Sequence, residues 1–178
     1  ASASLNQFET VALKTGSDGL LHADALHAAI AAHAGDIAGL MITNPSTLGL
    51  FEEHFGEITK AVHAAGGLVY MDGANFNAML GKFRPGASGV DCMHFNLHKT
   101  FTTPHGGGGP GCGPVGVSAN LVPFLPTPTV EKQGAGYTLD WNRPQSIGRL
   151  RSFFGNCGMM VRAYTYIREM GGEGLTQA

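Results

Sequence analysis

Lys99 stands among Phe95, Leu97 and Phe101 in the segment HFNLHKTFTTPHGGGGPGCGP (residues 94–114), beside His98 and ahead of His105 and four successive glycines. A lysine is ordinarily a solvated surface charge. Apolar neighbours change its chemistry, because taking an ammonium out of water disfavours the charged form and leaves an amine able to form a Schiff base with a carbonyl. Glycines 106–109 allow close backbone approach. Two other apolar runs also end in polar residues: LVYMD (68–72) in Asp72, and IAGLMIT (37–43) in Thr43, followed by Asn44. In open α/β sheets ligands bind in the crevice outside the carboxyl ends of the strands. One such crevice would collect Asn44, Asp72 and Lys99. Against this stands the plainer reading of Asp72 as a turn or cap residue.

Pyridoxal phosphate would use all three side chains. Its aldehyde would condense with Lys99, its ring nitrogen would pair with Asp72, and its phenolic oxygen would take a hydrogen bond from Asn44. A nucleotide-binding phosphate loop does not fit, because the Lys-Thr pair precedes the glycines instead of following them. His94, His98, His105, Cys92 and Cys112 offer imidazole and thiolate for zinc, but their spacing matches no zinc pattern. Cys92 and His94 would share one face of a strand, while His98 lies past its end. No metal is expected.

The surrounding sequence supplies elements to position these residues. FETVAL (8–13) reads as a strand, GSDG as a turn, and ADALHAAIAAHA (23–34) as an alanine-rich helix with Leu26 and Ile30 one turn apart. IAGLMIT is apolar throughout, as in a parallel strand covered on both faces. Phe51, Phe55, Ile58 and Val62 then form one helical stripe that ends at Gly66-Gly67. LVYMD, DCMHFN (91–96) and VGVS (115–118) read as further strands. Residues 123–137 read as a Pro/Gly-rich connector and 158–170 as a helix, with Gly171-Gly172 breaking it before a new helix start.

The 178 residues are 43% hydrophobic with a net charge of −2, enough for one cored domain and without a basic patch for nucleic acid or a membrane surface. No apolar run is long enough to span a bilayer. Three unevenly spaced cysteines suit a reducing compartment, the cytoplasm. The start lacks an initiator methionine and the end reads as a helix beginning, so the sequence is expected to be a fragment of a longer chain.

MITNPSTLGLFEE, GGLVYMDGANFNAMLGKFRPG, DCMHFNLHKTFTTPHGGGGPGCGP and RAYTYIREMGGEGL together resemble the P protein of the glycine cleavage system, the decarboxylating glycine dehydrogenase. GNCGMMVRAYTYI is more similar to the second subunit of its two-subunit form than to the single-chain form. The resemblance implies an α/β fold, part of the large domain of a fold-type I (aspartate aminotransferase-like) pyridoxal phosphate enzyme, with a mostly parallel sheet and flanking helices. Residues 1–150 would belong to that domain and 151–178 would be a connecting helix toward a small C-terminal domain.

It further implies that Lys99 carries the cofactor, Asp72 holds its ring nitrogen, Ala74 packs on a ring face, and His98 contacts the phosphate. Asn44 or Thr43 would lie near the ring oxygen. His105, Gly106, Gly107 and Gly108 would line the meeting place of glycine and a lipoyl arm. The implied activity is decarboxylation of glycine with transfer of the aminomethyl group to the lipoylated H protein. The implied partner is the first glycine dehydrogenase subunit, in a homo- or hetero-oligomer, and the fragment alone would be inactive. Another enzyme of the same fold, such as an aminotransferase, and a non-catalytic pseudo-subunit are the alternative readings.

Overall fold

The computed structural model describes residues 2–150 and 154–178. A short helical turn, α1 (Ser2–Leu5), and an irregular stretch precede α2 (Ala23–Ala32). β1 (Gly39–Thr43), α3 (Phe55–Ala64) and β2 (Leu68–Gly73) follow as a strand-helix-strand unit, and β3 (Cys92–Phe95) runs directly into the single-turn helix α4 (Leu97–Thr100). β1, β2 and β3 are mutually parallel, with β4 (Val115–Val117) antiparallel to β3 at the far edge. A separate antiparallel hairpin, β5 (Thr129–Gln133) and β6 (Gly136–Asp140), precedes the long C-terminal helix α5 (Cys157–Gln177).

The core follows the helical stripes. Leu26 of α2 and Ile58 and Val62 of α3 pack on Val69 of β2, while Phe55 and Val90 enclose Met71 and Met79. α3 stops because Gly66 takes a φ of 84° and the Gly67 N–H bonds back to the Val62 carbonyl, a glycine-turned helix end. A third cluster sets Ala163 of α5 against Leu97 and Phe101, so α5 braces the turn that carries Lys99. Gly171, at φ 61° and ψ −177°, interrupts α5 where the Gly-Gly break is expected.

Four expectations change. Residues 8–13 form no strand; Phe8 and Val11 are about half exposed and no neighbouring ladder pairs with them. β1 and β2 are not covered on both faces: α2 and α3 pack from one side, so in β2 Val69 and Met71 are 0% exposed while Leu68 is 44%, and in β1 Met41 is 65% exposed. The helix of the Phe51 stripe begins at Phe55, because the buried Glu52 is held outside it, its carboxylate accepting the Leu21 N–H. The connector 123–137 contains β5 and the turn into β6, where Gly134 supplies the positive φ, 58°, that a two-residue hairpin turn requires. The expected boundary between 150 and 151 falls at residues 151–153, outside the described residues.

Candidate active site

The parallel register places Thr43, Asp72 and His94 side by side in one row at the carboxyl ends of β1, β2 and β3. Past that row the chain opens a cleft of about 480 Å³ whose wall includes Pro45, Ser46, Ala74, Asn75, Asn77 and Lys99. Its rim is tied together. Asn75 Nδ2 donates to the Pro45 carbonyl at 2.9 Å, and Thr100 Oγ1 donates to Asn77 Oδ1 at 2.6 Å. Asp72 Oδ1 accepts the Ala74 N–H at 2.9 Å, which folds the chain after β2 and sets Ala74 into the cleft wall.

Lys99 reaches this cleft, but it is exposed, where the sequence suggests desolvation. α4 is one turn long, and turning Leu97 inward onto Ala163 leaves Lys99 on its open side. Asn44 is fully buried behind Pro45. Its Oδ1 accepts the Glu52 N–H at 3.1 Å, and the Glu52 carboxylate in turn accepts the Leu21 N–H at 3.0 and 3.2 Å. Because the oxygen is taken by an N–H donor, the remaining Asn44 group is Nδ2, a buried donor with no partner among the described residues.

His98 and the glycine loop form a neighbouring group outside the cleft lining. His98 packs edge-on against His105 with ring centroids 4.6 Å apart, and its Nδ1 is buried without a partner among the described residues. Burial, then the nearby His105 and Lys99, hold the His98 imidazolium below the usual histidine range. Gly106, Gly107 and Gly108 all take positive φ (64°, 63° and 95°), and His105 Nδ1 accepts the Gly108 N–H at 3.2 Å. The loop is thus a closed, exposed turn.

Two side chains acquire a place beside the site that no motif marks. His94 Nε2 lies 3.5 Å from Asp72 Oδ1, and Tyr70 Oη meets His94 Nδ1 at 2.5 Å. The alternation Tyr70-x-Asp72 and Cys92-x-His94 puts each pair on one strand face, but only the register between strands brings the pairs together. Among the described residues no group of three or more His, Cys, Asp or Glu side chains stands close enough to hold a metal ion. None of the described helices is long and apolar enough to cross a membrane.

Solved structures share this architecture. The cysteine desulfurases of Thermococcus onnurineus (TM-score 0.66) and Escherichia coli (0.68) each superpose on 98% of the chain, over 42% of their own length and at 19% identity. The Burkholderia pseudomallei sphingosine-1-phosphate lyase matches 99% of the chain and 39% of its own, with a TM-score of 0.64 and 16% identity. The architecture is that of a fold-type I pyridoxal phosphate enzyme, in part. No protein-family model matches the chain.

Curated relatives are much more similar in sequence. "Probable glycine dehydrogenase (decarboxylating) subunit 2" of Caldanaerobacter subterraneus is 55% identical over all 178 residues, and its namesake from Halalkalibacterium halodurans 57% over 175. Along its whole length the chain is similar to glycine dehydrogenase (decarboxylating) subunit 2 proteins. It spans about a third of the length of these relatives, 36% and 35%.

Proposed function

We propose that the chain forms part of the cofactor site of a glycine-decarboxylating enzyme. In this reading the complete subunit 2, with the first subunit, decarboxylates glycine in the cytoplasm and passes the aminomethyl carbon to the lipoyl disulfide of the H protein. The new carbon–sulfur bond forms as the disulfide opens, and the other sulfur leaves as a thiol. Residues 1–150 would contribute to the large domain and 151–178 would lead toward a small one. The supporting observation is that the carboxyl-end cleft holds Lys99 and Ala74 directly beyond Asp72, in a chain 55% identical throughout to a protein named for this reaction.

The donor set suits pyridoxal phosphate, which when bound supplies an electron sink for the bond that breaks at the amino-acid α-carbon. Lys99 offers the only amine in the cleft wall among the described residues. Asp72 would keep a proton on the ring nitrogen, and Ala74, without a bulky side chain, would leave a flat face for the ring. The unpaired buried Asn44 Nδ2 is a donor in need of an acceptor, as a ring oxygen is. Thr43 borders the same row, and His98 would serve the phosphate. His105 and Gly106–Gly108 would flank the route of the lipoyl arm. The test is the assembled two-subunit enzyme. It should carry a pyridoxal absorbance that glycine shifts, and it should release labelled carbon dioxide from carboxyl-labelled glycine when lipoylated H protein is added. An enzyme that instead converts glycine to glyoxylate would be an aminotransferase.

A further inference from the structure

The reading above assigns no role to Tyr70 and His94, yet they form a continuous polar chain ending on Asp72. Tyr70 and Asp72 lie two residues apart on one face of β2, and His94 is the register partner of Asp72 on β3. The Tyr70 and His94 rings stack at 5.9 Å with planes 26° apart, so the imidazole is held nearly parallel to its neighbour's ring. Its two nitrogens then have different tasks: Nδ1 meets Tyr70 Oη at 2.5 Å and Nε2 faces Asp72 Oδ1 at 3.5 Å.

A neutral imidazole carries one N–H, and the hydrogen bond made by one nitrogen decides where that proton sits. If Tyr70 donates its O–H to Nδ1, the proton must be on Nε2, facing the carboxylate. If the ring is doubly protonated, Nε2 still presents an N–H to Asp72 while Tyr70 accepts at Nδ1. In both states Asp72 sees a donor. The tyrosine keeps its proton in both states because burial, then Cys92 and Asp72, raise its pKa above the ordinary phenol value.

We infer that His94, with its tautomer set by Tyr70, is a positioning residue that keeps the Asp72 carboxylate aimed, and through it keeps the cofactor's ring nitrogen protonated. The inference rests on the cofactor reading, but its geometry does not. Asp72 Oδ1 already accepts the Ala74 N–H, and His94 Nε2 stands 3.5 Å from the same oxygen, so one hydrogen bond and one ion-pair contact act on the carboxylate's rotation. Among the described residues no hydrogen bond reaches Oδ2. Outer partners of this kind, measured at metal sites, change affinity or activity about 10–100-fold when removed.

The experiment uses the complete two-subunit enzyme reconstituted with nitrogen-15-labelled pyridoxal phosphate, read by NMR at the ring nitrogen, and a second sample with labelled histidine. The wild-type ring nitrogen should be protonated and His94 should show the Nε2–H tautomer or the imidazolium. His94→Phe should move the ring nitrogen toward its unprotonated position and weaken cofactor retention on the order of tenfold. His94→Gln, which can still donate, should recover most of both. Tyr70→Phe removes one hydroxyl from a stacked ring, so it serves if the histidine variants do not fold. It should give a smaller displacement and release the tautomer preference. An Nδ1–H tautomer in the wild type, or an unmoved ring nitrogen in His94→Phe or Tyr70→Phe, overturns the inference. A wild-type enzyme that takes up no labelled cofactor overturns the functional reading instead, while the histidine tautomer still reports on the chain itself.

Discussion

At the amino end of the parallel strands Asp91 meets His63 at 2.7 Å, whereas at the carboxyl end Asp72 meets His94 at 3.5 Å. The two pairs share chemistry and sheet but not surroundings. Asp91 is 9% exposed and also accepts the Val69 N–H at 2.8 Å and the Ser118 hydroxyl at 3.4 Å, binding β2, α3 and the end of β4 into one knot. Burial raises its pKa, but the Val69 N–H first, then His63 and Ser118, outweigh that and leave it lowered. The carboxyl end is left incomplete by comparison. Three of the four buried side-chain atoms without partners among the described residues, Asn44 Nδ2, His98 Nδ1 and Thr103 Oγ1, lie in the segments just beyond β1 and β3. Buried polar groups are nearly always paired in folded proteins, so such a concentration marks a place whose partners come from a ligand or from more of the protein. One end ties the fold together, and the other leaves polar groups open, as the proposed cofactor site requires.

The largest expected effect is at the carboxyl end. Borohydride reduction of the complete enzyme should fix the cofactor on the peptide containing NLHK, and Lys99→Ala should remove the label entirely while leaving the unfolding temperature near wild type, since the side chain is exposed. Label recovered on Lys60 or Lys82 would show that the amine is elsewhere. Asp72→Asn comes next. It keeps the shape and the Ala74 bond while removing the charge, so glycine decarboxylation should fall on the order of 10²-fold or more with little change in stability. Near-normal turnover would reduce Asp72 to a turn residue and erase the contrast between the two ends.

Asp91→Asn should do the reverse, because a hydrogen bond to a buried charged group contributes about 1.5–3 kcal/mol. Unfolding should be easier by about 2 kcal/mol near neutral pH, with cofactor retention preserved. The sign with pH follows from a folded-state pKa below the 3.8 of a free carboxyl: the contribution is full well above 3.8 and is lost as pH falls through the lower folded value. The stability gap between wild type and Asp91→Asn should therefore close in acid. A gap that is constant with pH would mean that the residue acts by shape alone.

The two ends also differ in how far the sequence discloses them. Asp72, Asn44 and Lys99 are legible because each follows an apolar run, and strand ends in α/β proteins converge. Ile58, Val62 and the strand of Val69 are legible because their periods are long and regular. Tyr70, His94 and the Asp91–His63 knot are not, since their meeting depends on register and on which helix face lands where. The hairpin of Val130 and Leu139 is hidden behind Pro126 and Pro128, whose turn signal outweighs the short alternation that follows. Phe8–Leu13 shows the opposite error: a strand pattern becomes a strand only when another backbone pairs with it. Lys99 itself is misjudged in burial, because its apolar sequence neighbours point into the α5 contact and away from it.

The smallest effect tests how far the functional end extends, at the glycine loop. A Cβ on Gly107 would meet nothing within 4 Å, so space does not demand glycine there, but its φ of 63° does disfavour a branched side chain. Left-handed backbone costs an ordinary residue about 1–2 kcal/mol, and asparagine tolerates it better than valine. Gly107→Val and Gly107→Asn therefore separate two roles. If the loop flanks the lipoyl arm, both variants should cut exchange of labelled carbon dioxide into glycine in the presence of H protein, by a few-fold, while glycine still perturbs the cofactor absorbance normally. If the loop is only the closed turn that His105 caps, Gly107→Asn should match wild type in exchange, and Gly107→Val should lose exchange and glycine binding equally, through strain passed along His105 to His98. The second outcome would confine the functional end to the cleft between Ser46 and Lys99 and leave the four glycines a structural duty like that of Asp91.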